Sequence, residues 1–448
     1  MSRHEDEGVA IDRCVVSLLR TRRFSPLFAT QFLGAFNDNV FKNALIILIT
    51  FSVVESVREQ SAMLVTFAAG VFILPFLLFS ALGGQLADSF EKSQLIGRIK
   101  LAEIAIMGLA VVGFWWGDVW VLIAILFLMG SQSALFGPLK YAILPQHLAP
   151  AELTAGNALV QMGTFLAILL GTMLGGFAIS IEGIGTVVVS IIIIGLAIGG
   201  WLTSRAIPLA QPAHNNFPQI KWNLVSQTGR VLGYAREDRL VFASVLAIAW
   251  FWFVGATFLQ LIPSFTRDVL NGGPQVVTVI LSAFSIGIGV GALICAVLSR
   301  GAIELRLVSL GALGLGTFTV GIYVLSPPPM QVGDLVFGVK DFIVQPTNWR
   351  VFIDLVLVSV SGGIYVVPLV TLVQSRTFAE KRAQVIAASN ILNASFMVAS
   401  AVVTMWLLSL GYTAHEIFLI VGISSFVLMG PLFVAIPELR GKVVTRLP

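Results

Sequence analysis

Charge is what this chain has least of. Only 11% of its 448 residues are Asp, Glu, Lys or Arg, against about 25% in a globular domain. Most of the chain therefore cannot present a soluble surface. Two cysteines, Cys14 and Cys295, imply no disulfide framework. Together with four histidines they show no metal-ligand spacing. No G-x4-G-K-[ST] loop is present, which argues against an intrinsic ATPase. His147 is followed five residues later by Glu152, so the H-x4-D acyltransferase motif is not met. The first 23 residues hold no apolar stretch before a cleavage site, so the first span would serve as the insertion signal. No catalytic residue, cofactor, metal or nucleic-acid partner is expected.

What is abundant is apolar sequence: 57% hydrophobic residues and a mean hydropathy of +0.93. Twelve spans of suitable length centre near Leu45, Phe72, Leu109, Leu126, Leu166, Ile194, Phe251, Ser285, Leu313, Leu357, Phe396 and Ile420. With the N-terminus inside, twenty-two of the 27 Lys/Arg residues fall in inner segments. The outer segments hold Arg58, Arg267, Lys340 and Arg350, and Lys42 is intramembrane. That bias places both termini in the cytoplasm. Both cysteines then lie on the inner side, where thiols stay reduced.

The expected organisation is a cytoplasmic segment over 1–24, a six-helix bundle over 25–205, a linker over 206–238, a second six-helix bundle over 239–437, and a tail over 438–448. The linker is polar and holds Pro208, Pro212, Pro218 and His214-Asn215-Asn216. An amphipathic stretch is expected around Trp222–Tyr234. The halves resemble each other: Pro138–Leu159 and Pro368–Leu392 both run from a proline through Gln and a charged loop to a small-small-Asn-apolar signature. They occupy corresponding places in two repeats. The outer connection 326–350 breaks that symmetry, and reads as a solvated loop with Trp349 as an interfacial anchor or as a lipid-touching cap.

Asp38 is the most costly residue. It lies about 16 Å into the first span if the membrane begins near Leu27, at about 1.5 Å per residue. A carboxylate there costs about 2.5–3.5 kcal/mol on insertion scales. Lys42, four residues on, shares its helix face and is close enough to pair. Asp38 could accept hydrogen bonds from an ammonium or hydroxyl, while Lys42 or Lys140 could attract phosphate. A structural Asp38–Lys42 ion pair and a positive-inside anchor at Lys140 are the plainer alternatives. Gln161 and Asn393 are candidate cavity polar groups, equally explained by interhelical hydrogen bonds. Glu103 and Lys100 form a candidate structural pair at the edge of span three.

Gly83-Gly84-Gln85-Leu86-Ala87-Asp88 resembles the G-x-L-A-D loop of the major facilitator superfamily, although Ser89-Phe90-Glu91-Lys92 departs from that family's basic tail. The resemblance implies two six-helix pseudo-symmetric bundles, an all-α membrane fold, with Gly84 and Asp88 gating access. Asp88 would pair with a cation or cap a neighbouring helix.

A narrower resemblance rests on Phe36-Asn37-Asp38-Asn39, Gly137-Pro138-Leu139-Lys140-Tyr141 and Glu152-Leu153-Thr154-Ala155-Gly156-Asn157. These stretches are similar to the lysophospholipid transporters of Gram-negative inner membranes, including the transporter module of acyltransferase fusions. It implies a transporter, not an enzyme, that moves lysophosphatidylethanolamine and related lysolipids to the inner leaflet. A separate acyltransferase would complete phospholipid remodelling there. Asn37, Asp38, Asn39, Lys42, Lys140, Tyr141 and Gln161 are the expected substrate-binding residues. Some members carry an embedded arginine in span seven, where this chain has Thr257 and Gln260. A proton-coupled exporter of amphipathic molecules, with Asp38 titrating, is the alternative function. A membrane scaffold for a lipid enzyme is a third.

Overall fold

The computed structural model describes residues 15, 17–50, 61–212, 220–326 and 337–435. Twelve long helices run through the described residues: α1 Ser25–Thr50, α2 Ser61–Ser89, α3 Lys92–Trp116, α4 Val119–Ala142, α5 Leu153–Ile179, α6 Gly185–Ser204, α7 Arg239–Asp268, α8 Pro274–Ser299, α9 Arg306–Leu325, α10 Pro346–Arg376, α11 Arg382–Ser409 and α12 Ala414–Ala435. Ten are long and apolar enough to cross a membrane. The other two are α3, which carries Lys92, Arg98, Lys100 and Glu103, and α12, which is apolar over Ala414–Leu428 within the residues described. The first helix begins at Ser25 and is described as far as Thr50, with Asn37 and Asp38 midway along that range.

Short side chains set where these helices start and stop. Asp118 caps α4 by accepting from the backbone N–H groups of Trp120 (2.8 Å) and Val121 (3.2 Å). Gly117 ends α3 in the left-handed region, at φ 68°, which suits glycine. Asp238 caps α7 through the N–H groups of Leu240 and Val241. Burial pushes the Asp238 carboxyl up, but hydrogen bonds from Arg376 and these amides outweigh it and hold it below the usual range.

The linker meets α1–α6 and α7–α12 at one end of the molecule, the linker end. Asn223 caps a helix over Leu224–Arg236 by accepting from Ser226 N–H at 3.0 Å. Residues 213–219, which include His214-Asn215-Asn216 and Pro218, lie outside the described residues, as do Cys14 and Arg58. Glu91 accepts from Ala210 N–H at 2.6 Å, and the Lys92 ammonium donates to the Gln211 carbonyl at 3.0 Å. The two halves touch mainly at this end. The α2 residues Ser80, Gln85, Asp88 and Ser89 are buried, while Phe67 and Leu74, toward the far end, are exposed. In α11, Ala383 and Val385 to Ser389 are buried, whereas Val398, Val402, Met405 and Trp406 are exposed. The halves therefore close at the linker end and part at the far end.

Candidate functional site

The middle of α1 faces a buried polar cluster supplied by α3 and α4. Asn37 donates to Glu103 Oε1 at 3.0 Å, Gln132 donates to Glu103 Oε2 at 3.0 Å, and Lys100 donates to the same oxygen at 2.6 Å. Glu103 is thus held by three donors, and it and Lys100 are each 1% exposed. Lys100 also lies over the Phe136 ring, 4.7 Å from its centroid. Gly34 makes room for this ammonium, since a Cβ there would stand 2.2 Å from Lys100 Nζ. The pair is therefore not at the edge of span three. Glu103 sits near the middle of α3, and Lys100 belongs to the span rather than to the inner basic segments.

Asp38 joins the cluster through one oxygen. Ser133 donates to Asp38 Oδ2 at 2.6 Å and also lies 3.1 Å from Gln132 Oε1. A hydroxyl has one proton to give, so Asp38 and Gln132 compete for it. Asp38 Oδ1 is buried and has no hydrogen-bond partner. An unmet, buried carboxylate oxygen is costly, and a ligand that donates to it would relieve that cost.

The expected Asp38–Lys42 pair does not form. Lys42 turns to Asn39 Oδ1 at 2.9 Å and lies 5.5 Å from the Phe72 centroid. Helical spacing brought the residues to one face, but the lysine's long stem reaches a nearer acceptor three residues back. Asn39 is bound in turn to the Ala35 carbonyl at 2.8 Å. Lys140, on the last turns of α4, has no ion pair among the described residues. It lies over the Tyr141 ring, 4.9 Å from its centroid. Tyr141 Oη is 3.4 Å from Gln161 Oε1, and Gln161 Nε2 is buried without a partner. Gln31, one helix away, also keeps an unpartnered Nε2 while its Oε1 accepts from Thr164 at 3.0 Å. Asn393 Oδ1 is likewise buried and unpartnered.

Span seven supplies no charge at this depth. Thr257 is spent on Ser400 (2.8 Å) and the Phe253 carbonyl (3.0 Å), and Gln260 is exposed. Aromatic rings take the place of charge. Phe165 of α5 stacks on Trp252 of α7 at 6.1 Å and meets Phe251 edge-on at 6.3 Å.

Below the cluster, toward the linker end, hydrogen bonds tie the halves. Asn157 donates to Gln374 Oε1 at 2.6 Å and accepts from Gln374 Nε2 at 3.0 Å. Gln374 also donates to the Tyr141 carbonyl at 3.2 Å. Asp88 accepts from Ala383 N–H at 3.3 Å and from Gln384 Nε2 at 3.2 Å, on the first turn of α11. The cation-pair alternative for Asp88 is not formed, because the α11 amides lie closer. Gly84 permits this approach: a Cβ would stand 2.9 Å from Ala387 Cβ and 3.0 Å from the Ala383 carbonyl. The two Asn residues of the internal repeat act across the seam in complementary ways. Asn157 of α5 bonds to α10, and Asn390 of α11 packs on Gly137 of α4, whose Cβ would lie 2.7 Å from Asn390 Nδ2.

Two helical bundles, closed at one end around buried polar groups at mid-depth, define a membrane transporter of the alternating-access kind. The sequence pattern of the Major Facilitator Superfamily matches residues 27–401, and the chain belongs to that family. It is similar to the lysophospholipid transporter LplT of Serratia proteamaculans, 25% identical over 363 residues, covering 80% of this chain and 82% of that protein. LplT of Escherichia coli O1:K1 is 28% identical over 367 residues, covering 80% and 81%. Among solved structures, the transporter FucP in its outward conformation matches with a TM-score of 0.70 at 12% identity, covering 94% of this chain and 99% of that one. A bacterial homologue of the iron transporter ferroportin, in an outward-facing state, matches with a TM-score of 0.68 at 14% identity, covering 93% and 100%.

Proposed function

We propose that this chain carries lysophospholipids, chiefly lysophosphatidylethanolamine, from the outer to the inner leaflet of a bacterial inner membrane. The observation that carries the reading is the unpartnered, buried oxygen of Asp38 on α1, with Lys140 of α4, which lies over Tyr141, as a cation that makes no ion pair among the described residues. An ethanolamine ammonium or a glycerol hydroxyl donates to Asp38, and the phosphate lies toward Lys140. Asn37, through Glu103, keeps the wall behind Asp38 fixed, while Asn39 holds Lys42. The amide of Gln161, beside Tyr141, offers a further donor to phosphate or glycerol oxygens. The acyl chain runs along apolar surface such as Phe165 and Trp252. Similarity to proteins named lysophospholipid transporters over four-fifths of the chain supports the substrate class.

The distribution of Lys and Arg supports a cytoplasmic linker and cytoplasmic termini. The parted end then opens to the outer side, where lysolipid is taken up. Release to the inner leaflet requires the Asp88–Gln384 and Asn157–Gln374 bonds to break, with Gly84 marking where α2 and α11 separate. A separate acyltransferase re-acylates the delivered lipid.

The test is uptake of labelled lysophosphatidylethanolamine into spheroplasts, comparing the intact chain with Asp38→Ala at equal membrane abundance. A charge-assisted hydrogen bond is worth about 1.5–3 kcal/mol, so uptake is expected to fall roughly tenfold or more. Equal uptake would remove Asp38 from the site. No uptake by the intact chain would defeat the lysolipid reading. Uptake that disappears when the proton gradient is collapsed would favour a proton-coupled carrier instead.

A further inference from the structure

The far end of the second bundle carries a feature that transport does not use. A short helix, Val339–Val344, precedes α10 and is folded back on its first turns. Phe342 is buried, with its ring 6.4 Å from that of Phe352. Trp349 donates through Nε1 to the Ile343 carbonyl at 2.6 Å, and its ring stands edge-on to Phe352 at 5.7 Å. On the other side, Phe337 exchanges backbone hydrogen bonds with the α7–α8 turn, donating to Asn271 at 2.7 Å and accepting from Gly273 at 3.0 Å. The segment is therefore clamped at both ends.

This clamped segment nonetheless presents apolar side chains outward. Val344 is 78% exposed, Ile343 47% and Trp349 44%. Ile353, one turn beyond Trp349 on the α10 surface, is 48% exposed, so the apolar strip continues onto a membrane-spanning helix. Lys340 and Arg350 flank it, both exposed and without an ion pair among the described residues. They are two of only four cations assigned to outer segments, a side that the rest of the chain keeps poor in positive charge. A tryptophan, aliphatic side chains and flanking cations at the start of a span match the interface of a bilayer, where rings sit at headgroup level and cations meet phosphate.

We propose that Val339–Trp349 is a rigid foot that rests on the outer leaflet beside α10, inserting Ile343, Val344 and Trp349 and placing Lys340 and Arg350 on lipid phosphates. The occupant is the bilayer surface itself, and the proposal holds whichever solute the chain moves. Continuity with α10 and the paired cations favour lipid over a second copy of the chain.

The test is a Val344→Cys substitution in a Cys14→Ser background, Cys295 being buried. The thiol is labelled with bimane and the full chain reconstituted in phosphatidylethanolamine vesicles. Lipids brominated near the headgroup end of the acyl chain are expected to quench the label about twofold, and aqueous iodide much less, as for an interfacial side chain. Added phosphatidylglycerol is expected to deepen the lipid quenching, and Lys340→Gln with Arg350→Gln to abolish that response. Quenching by iodide alone would overturn the proposal, as would protection from both quenchers with energy transfer between labelled copies, which would put a second chain on the foot. A phosphatidylglycerol response that survives the double substitution would overturn the role of the cations.

Discussion

The two six-helix bundles share a fold and are built differently at mid-depth. In the first, α1, α3 and α4 bury a carboxylate–ammonium pair, two amides and a second carboxylate in one connected cluster. In the second, the corresponding interior is filled by rings: Phe258 stacks between Phe284 at 5.4 Å and Phe418 at 4.5 Å, and Trp250 stacks on Phe253 at 4.9 Å. Its polar contacts are isolated pairs such as Thr257–Ser400. The difference teaches how pseudo-symmetry can serve an amphipathic solute. The repeat supplies two matching scaffolds; among the described residues the first joins its charges in one cluster, whereas the second buries a lone carboxylate, Asp354 of α10. The second otherwise offers apolar surface.

The comparison breaks most severely if one member of the first bundle's ion pair is removed. Lys100→Met removes the ammonium partner of Glu103 from a buried site, which is expected to cost about 3–5 kcal/mol. Thermal unfolding in detergent should show this loss, and Lys100→Met with Glu103→Leu should recover much of it. If the double variant were no more stable than Lys100→Met alone, the pair would not be the charge balance described here. It would also make the first bundle's interior tolerant of charge, like a surface.

A smaller effect sharpens the contrast. Ser133→Ala strips Asp38 of its one donor and should destabilise by about 1–3 kcal/mol. In the aromatic bundle, Thr257→Val removes a neutral hydroxyl pair at a cost of about 0.5–1.5 kcal/mol. Melting curves of the two variants, each against the intact chain, compare the halves directly. A larger loss for Thr257→Val would reverse the assignment of polar weight.

The smallest effect lies at the linker end, where Arg376 meets Asp238 at 2.6 Å. Since the Asp238 carboxyl is held below its usual value in the folded chain, its contribution to stability is present above the unfolded carboxylate pKa. That contribution is lost as pH falls through the lowered folded value. Arg376→Gln should lower melting slightly at neutral pH and leave it unchanged in acid, where the contribution is already lost, so the acid-side dependence shrinks. The effect is small because both side chains are well exposed and exposed pairs contribute little. An unaltered acid limb would show that the pair plays no part.

The apolar runs are legible because a bilayer demands about twenty residues per helix, with backbone groups satisfied within it. Charge placement is legible for a similar reason, since cations favour one side of the membrane. The costly residue Asp38 stood out on the same physical ground. Its partners did not. Ser133 lies 95 residues away, and Glu103 looked like a loop-edge acid because hydropathy averages over a window and says nothing about which face a residue takes. Lys42 misled in the opposite direction: spacing of four guarantees proximity, not a bond, and Asn39 offered the nearer oxygen. The unpartnered amides of Gln31 and Gln161 had no signal strong enough to separate them from ordinary interhelical glue.

The sequence by itself determined a twelve-helix chain in two related halves and a carboxylate within the first helix. These are properties of composition and period, set by the exclusion of water from the bilayer. The Glu103–Lys100 pair is expected from spacing; tertiary structure alone decided that Asn37 and Gln132 join it, that one oxygen of Asp38 is left open, and that the halves close at the linker end. Those depend on which helix faces meet, and burial strengthens each such contact by removing the water that would otherwise replace it.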